Sequence, residues 1–137
     1  MTRNLERIFA NKFLLKGEVS IQYSIGKVAE ETGLSIHTLR YYEKEGILPP
    51  IKRNDLGMRV FDKDDMEWLE FTCCLRNTGM TIEEMKTFSH LTLQGDETVP
   101  QRIALLNQQQ ERVMSQVSQL NTYLSMIKYK IEKYSPE

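Results

Sequence analysis

The sequence predicts an all-α chain carrying one small β wing: a winged helix-turn-helix head followed by a long C-terminal helix. Three observations predict it. Between Tyr23 and Gly46, YSIGKVAEETGLSIHTLRYYEKEG, two short helix-period patterns flank a turn too tight for anything but a helix-turn-helix. Directly after it, Ile51 to Phe61, IKRNDLGMRVF, has the length and composition of a basic hairpin. From Ile103 onward, apolar residues recur three and four apart almost to the end of the chain.

Each element has its own local signal. Residues 1–22 contain Leu5, Ile8, Phe9 and Phe13 at roughly helical spacing in a stretch with several Lys and Arg. They read as an N-terminal extension: a mobile tail or the product of an upstream start codon, with a DNA- or partner-contacting arm as the functional alternative. Ser24 is a good N-cap, and Ile25, Val28 and Ala29 follow on one face. Gly33 stops this first helix, because glycine takes the left-handed conformation without a Cβ penalty. Ser35 caps the second helix, which is expected to run to Glu45 and end at Gly46. Leu39 turns to the core, while His37, Thr38, Arg40, Tyr41 and Lys44 offer donors and a flat aromatic at or near the opposite side. That mixture suits a groove of bases walled by phosphates.

Pro49 and Pro50 forbid helix continuation, and the hairpin after them turns at Asn54 to Gly57. A basic hairpin placed there reads as a wing. Asp62 opens a third helix, with Asp64, Asp65 and Glu67 in its first turns, where the macrodipole favours negative charge. Met66, Leu69, Cys73 and Arg76 trace one face and Trp68, Phe71, Thr72 and Leu75 an adjoining one, so this helix is covered on more than one side. After Gly79, Thr81 and Glu84 form a capping-box pattern for a fourth helix through about His90, burying Ile82, Met85, Phe88 and Leu91. Gly95 to Val99 is a loop, and Pro100 is tolerated in the first turn of the final helix. The stripe along that helix is Ile103, Leu106, Val113, Val117, Leu120, Leu124, Ile127, Ile131 and Tyr134, interrupted only by Gln110. A seam this long and narrow needs a partner helix.

The run TLRYYEKEGILPP followed by KRNDLGMRVFDKDD resembles the DNA-binding domain of the MerR family of transcription regulators, and the likeness extends from about Tyr23 to the C-terminus. Met58 and Phe61 depart from it, standing where the family usually has tyrosines. The resemblance implies domains at 1–22 (extension), 23–92 (winged head) and 93–137 (loop and dimerisation helix). It implies a homodimer joined by an antiparallel two-helix coil, with Gln110 as a register device. Its partners would be double-stranded DNA, at a pseudo-palindromic promoter operator, and RNA polymerase at the same promoter. In that frame Arg40 reaches a base edge or adjoining phosphate. Thr38, Tyr41 and Tyr42 contact the DNA backbone with His37 nearby, and Lys52, Arg53 and Arg59 set the wing against phosphates.

Composition agrees with a soluble regulator. Residues 1–63 hold eleven Lys and Arg against eight Asp and Glu, a balance of +3. Residues 64–137 hold seven against eleven, a balance of −4, so the basic half is the half with the motif. With no apolar run of membrane length and no secretory signal pattern, a cytoplasmic protein without membrane contact is expected. A chain ending at Glu137 is expected to lack the large drug-binding domain that other family members append.

No arrangement for catalysis stands out. His37 and His90 lie far apart without metal-ligand spacing, and phosphate loops or nucleophile elbows are lacking, so neither an enzyme nor a cofactor or metal site is expected. Cys73 and Cys74 point about 100° apart on a helix, which disfavours a disulfide between them. Cys73 reads as a small buried hydrophobe. Cys74, in CLRNTG, resembles the aldehyde- and thiol-stress-responsive branch of the family, in which a single cysteine at the matching place senses electrophiles. A coiled-coil interaction module without DNA binding is the alternative class, and a redox enzyme using the two cysteines a more distant third.

Overall fold

The computed structural model describes residues 21–136. The elements are β1 (Tyr23–Ser24), α1 (Ile25–Thr32), α2 (Ile36–Lys44), β2 (Lys52–Arg53), β3 (Arg59–Phe61), α3 (Lys63–Asn77), α4 (Ile82–Gln94) and α5 (Val99–Tyr134), with a 3-10 turn at Asp96–Thr98. The expected extension lies outside the described residues apart from Ile21 and Gln22.

The caps do what their residue types dictate. Ser24 Oγ accepts from Lys27 N at 3.1 Å, and Ser35 Oγ accepts from Thr38 N at 3.0 Å. Asp62 and Asp65 close a full capping box at the start of α3, as Thr81 and Glu84 do at the start of α4. α4 runs one turn past His90 to Gln94, because no residue before Gly95 breaks a helix. The turn between α1 and α2 closes on Gly33, whose φ is +75°.

The wing is the two-strand hairpin predicted, with Arg53 opposite Arg59 and Lys52 opposite Val60. β3 also pairs with β1, Tyr23 opposite Phe61, so the sheet order is β1-β3-β2. Sequence reading missed β1, since two residues cannot show alternation and Ser24 already carries a helix-cap signal. At the wing tip Asn54 Oδ1 accepts from Leu56 N and Met58 N, both at 3.0 Å. Asn54 thereby supplies the turn that the sequence placed there.

Val28, Leu39, Ile47, Leu48, Phe61 and Leu69 are almost wholly buried and draw α1, α2, β3 and α3 into one core, which Met85 of α4 joins. Each such side chain contributes on the order of 1.5–3 kcal/mol of burial. Phe61 shows why tyrosine is dispensable at that position here: its ring sits in the core at 1% exposure. Trp68 Nε1 donates to Ile47 O at 2.8 Å and to Ser89 Oγ at 3.2 Å, tying α3 and α4 to the segment after α2.

α5 contains 36 residues and extends about 54 Å at 1.5 Å per residue. Its first half meets the head, with Leu106 against the core and Gln116 as the last residue bonded to it. Residues 114–136 are exposed throughout. No helix among the described residues is long and apolar enough to cross a membrane.

Candidate nucleic-acid interface

α2 divides cleanly into two faces. Leu39 and Tyr42 are buried, whereas His37, Arg40, Tyr41 and Lys44 lie on the outer side. The latter stand at i, i+3, i+4 and i+7 and so form one continuous stripe. Thr38 is half-buried beside it, its hydroxyl 2.9 Å from Ser35 Oγ. The stripe carries a guanidinium, an ammonium, an imidazole and a phenol. Those groups can donate to base edges and phosphates.

Tyr42 corrects the expectation that it touches the DNA backbone. It is 2% exposed and packs in the core, because position 42 lies about 100° around the helix from Tyr41 and on the side of Leu39. Burial raises the pKa of its phenol, with Arg76 opposing that shift through its charge and a hydrogen bond.

Arg59 is the second correction. Its Nε donates to Glu43 Oε1 at 2.6 Å, and both side chains are about four-fifths buried. Glu43 Oε2 accepts from Ile51 N at 2.9 Å. Burial alone would raise the Glu43 pKa, but the Arg59 hydrogen bond, the Ile51 N–H and the charges of Arg59 and Arg53 outweigh it and hold the carboxyl below its ordinary range. The inward turn of Arg59 follows from strand alternation, which puts it on the same face of β3 as the buried Phe61, where Glu43 meets it. Glu43 escaped sequence reading because a glutamate on a basic recognition helix looks like a solvated charge.

The other wing cations remain at the surface. Lys52 and Arg53 are exposed; Lys52 Nζ lies 3.3 Å from Asp62 Oδ2, and one Arg53 Nη donates to Gly57 O at 2.6 Å across the turn. Leu56 and Met58 stand out from the wing tip at 81% and 55% exposure.

The cysteines separate as expected in exposure. Cys73 is buried and Cys74 exposed, and both are free thiols. Burial pushes the Cys73 thiol up to about 11, with the Arg76 charge opposing and Cys74 and Glu70 reinforcing, so it stays neutral. Among the described residues no group of three or more His, Cys, Asp or Glu side chains could hold a metal ion.

Sequence reading also missed a polar cluster at the base of α5. Gln109, adjacent to the Gln110 singled out in the stripe, is 4% exposed and donates to Thr78 Oγ1 at 2.8 Å and Thr78 O at 3.2 Å. Gln110 is exposed with the stripe.

Comparison with known proteins agrees with this geometry. Residues 23–90 match the family described as MerR HTH family regulatory protein. An uncharacterized HTH-type transcriptional regulator of Haemophilus influenzae is 40% identical over 112 residues, covering 82% of this chain and 83% of its own length. This chain belongs to the MerR family. The HTH-type transcriptional regulator AdhR of Bacillus subtilis is 42% identical over 91 residues, covering 66% of this chain and 65% of AdhR. Among solved structures, HiNmlR, a MerR family regulator lacking the sensor domain and bound to promoter DNA, superposes with a TM-score of 0.77 at 39% identity, covering 83% of this chain and 90% of that one. These likenesses support the branch of the MerR family that the CLRNTG segment suggested. The chain is a MerR family transcription regulator of helix-turn-helix type.

Proposed function

We propose that this MerR family chain acts as a homodimer on a pseudo-palindromic promoter operator and answers an electrophile at Cys74. The observation that carries the proposal is a helix-turn-helix head joined to an apolar stripe that the described residues leave uncovered. Ile103, Val117, Leu120, Leu124, Ile127, Ile131 and Tyr134 are between 47% and 78% exposed. An antiparallel coil of two α5 helices would bury that stripe, with Gln110 specifying register at a cost in stability. Two-fold symmetry then sets two α2 helices at successive major grooves, Arg40 reading a base edge and Thr38 and Tyr41 holding phosphates.

The same reading assigns the response to Cys74, whose exposed sulfur is accessible to an aldehyde, quinone or nitrosothiol. With an aldehyde, the sulfur adds to the carbonyl carbon and the carbonyl electron pair moves to oxygen. The thiol proton ends on that oxygen, giving a hemithioacetal without any oxidant. The activated dimer bends and untwists an over-long promoter spacer so that both promoter elements face RNA polymerase, and pyrimidine-purine steps near the operator centre lower the cost of that deformation. HiNmlR bound to promoter DNA supports DNA as the partner.

The test is a gel shift at fixed salt with the DNA upstream of the chain's own gene, comparing the unmodified protein with Arg40→Ala. Loss of the shift in the variant supports the assignment of α2. An unchanged affinity overturns it, and no binding by the unmodified protein leaves the coiled-coil interaction module as the better account.

A further inference from the structure

The turn Cys74 to Thr78 is a junction of three helices. The last carbonyls of a helix have no intrahelical donors and must find partners elsewhere. At the end of α3 the carbonyls of Cys74, Leu75 and Arg76 accept from Thr78 N, Met80 N and Gly79 N, and the carbonyl of Thr78 itself is met from α5. Gln109 Nε2 donates to Thr78 O and Oγ1, and Gln116 Nε2 donates to Thr78 O at 3.1 Å. Gln109 Oε1 in turn accepts from Arg112 Nη1 at 3.2 Å, and the same nitrogen lies 2.7 Å from Glu84 Oε2, the carboxylate that caps α4. One polar network therefore fixes the tilt of the long helix against the end of α3 and the start of α4.

Cys74 sits inside this junction. Its carbonyl accepts from Thr78 N at 3.1 Å, and the two side chains, four residues apart, share one face of the helix. Within the same turn the Arg76 charge acts on the buried Tyr42 phenol of α2. The turn carrying the exposed thiol is thus fastened to the long helix through Thr78.

We propose that Thr78, held by Gln109 and Gln116, is the positioning residue through which an adduct on Cys74 changes the tilt of α5 and hence the spacing of the two heads. This rests on the Cys74 reading above. An adduct that displaces the last turn of α3 moves the Thr78 hydroxyl and carbonyl together, and the Gln109 amide, held chiefly by the hydroxyl at 2.8 Å, carries that displacement into α5 with Gln116 following on the carbonyl. Because Gln109 is buried, water does not readily replace its bonds once they break, so the network shifts as a unit.

p-Benzoquinone is a suitable probe. The Cys74 sulfur adds to a ring carbon, and the thiol proton and the displaced ring proton end on the two former carbonyl oxygens, leaving a stable hydroquinone thioether. The unmodified protein, Thr78→Val, Thr78→Ser, Gln116→Leu and the nearly isosteric Gln109→Glu are each treated and freed of reagent. Adduct stoichiometry at Cys74 is then measured by peptide mass, operator affinity by titration, and transcription from the operator's promoter in vitro.

The unmodified protein should change transcription about tenfold on modification. Thr78→Val, Gln116→Leu and Gln109→Glu should carry the same adduct and bind operator within about threefold of the unmodified protein, yet lose the transcriptional change. Thr78→Ser, which keeps the hydroxyl, should restore it. Variants that carry the adduct and respond fully overturn the coupling while leaving Cys74 as the sensor. An unmodified protein that carries the adduct and does not respond overturns the sensor reading and the coupling with it. Circular dichroism identifies any variant that fails to fold, and the remaining variants then decide.

Discussion

Glu43 on α2 holds Arg59 of the central wing strand at 2.6 Å and, with its other oxygen, the backbone N–H of Ile51. The wing and α2 are therefore oriented against each other by one carboxylate. Replacing it with glutamine keeps the size and removes the charge. Glu43→Gln should destabilise the head by about 1–3 kcal/mol near neutral pH. Since the folded carboxyl titrates below its ordinary 4.5, the stabilisation is fully present above that value and fades as pH falls through the lower folded value. Thermal melts of both proteins across this range should converge at the acid end. A gap that stays constant would show that the charge is not what holds the wing.

Arg40→Ala should weaken operator binding about ten- to hundredfold and relax preference at one base position. The wing cations should behave differently from one another. Removing Lys52 and Arg53 should lower the salt dependence of binding by about 0.9 for each phosphate no longer neutralised. Arg59→Ala should leave that slope unchanged while costing folding stability, because its guanidinium is committed to Glu43. Titrations at several salt concentrations, with parallel melts, separate the two behaviours.

At about pH 8 a thiol-directed alkylating reagent should label Cys74 in the folded protein and spare Cys73, whose thiol is both buried and pushed up to about 11. Cys73→Ser should cost about 1–3 kcal/mol by burying a hydroxyl in an apolar site. Cys74→Ser should leave stability nearly unchanged and abolish the transcriptional response to electrophiles. Peptide mass mapping after labelling, together with denaturation midpoints, checks all three statements.

Leu120→Asp or Leu124→Asp should separate the proposed dimer, since each sets a charge in the middle of the stripe. Sedimentation equilibrium should report a single chain, and operator affinity should fall because two half-sites are no longer bound together. A variant that sediments as the unmodified protein does would remove this seam from the interface.

Much of the head could be read from the chain because its signals are local. Ser24, Ser35, Asp62 and Thr81 cap through bonds spanning three residues, and a cap needs nothing from the rest of the fold. The wing was legible for the same reason, through Asn54 and Gly57. What escaped depends on pairings distant in sequence. Glu43 meets Arg59 sixteen residues away, and Gln109 meets Thr78 thirty-one residues away. Tyr41 and Tyr42 carry identical chemistry, and only the phase set by Leu39 tells the stripe from the core. Gln110 drew attention by breaking the apolar repeat, while its neighbour Gln109 makes the buried bonds to Thr78.

From residue 114 to its end at Tyr134 the long helix is exposed at every position. A free helix of that length is only marginally stable in water, and packing against the other described residues does not cover it. Order in this half then has to come from whatever covers the stripe. Under the homodimer reading, helix formation there becomes second order in the number of chains present. A cell making few copies would hold regulators whose outer halves are frayed, and one making many would hold stiff, paired rods. The amount of protein synthesised would itself act as an input, tuned by the same leucines and isoleucines that join the two heads.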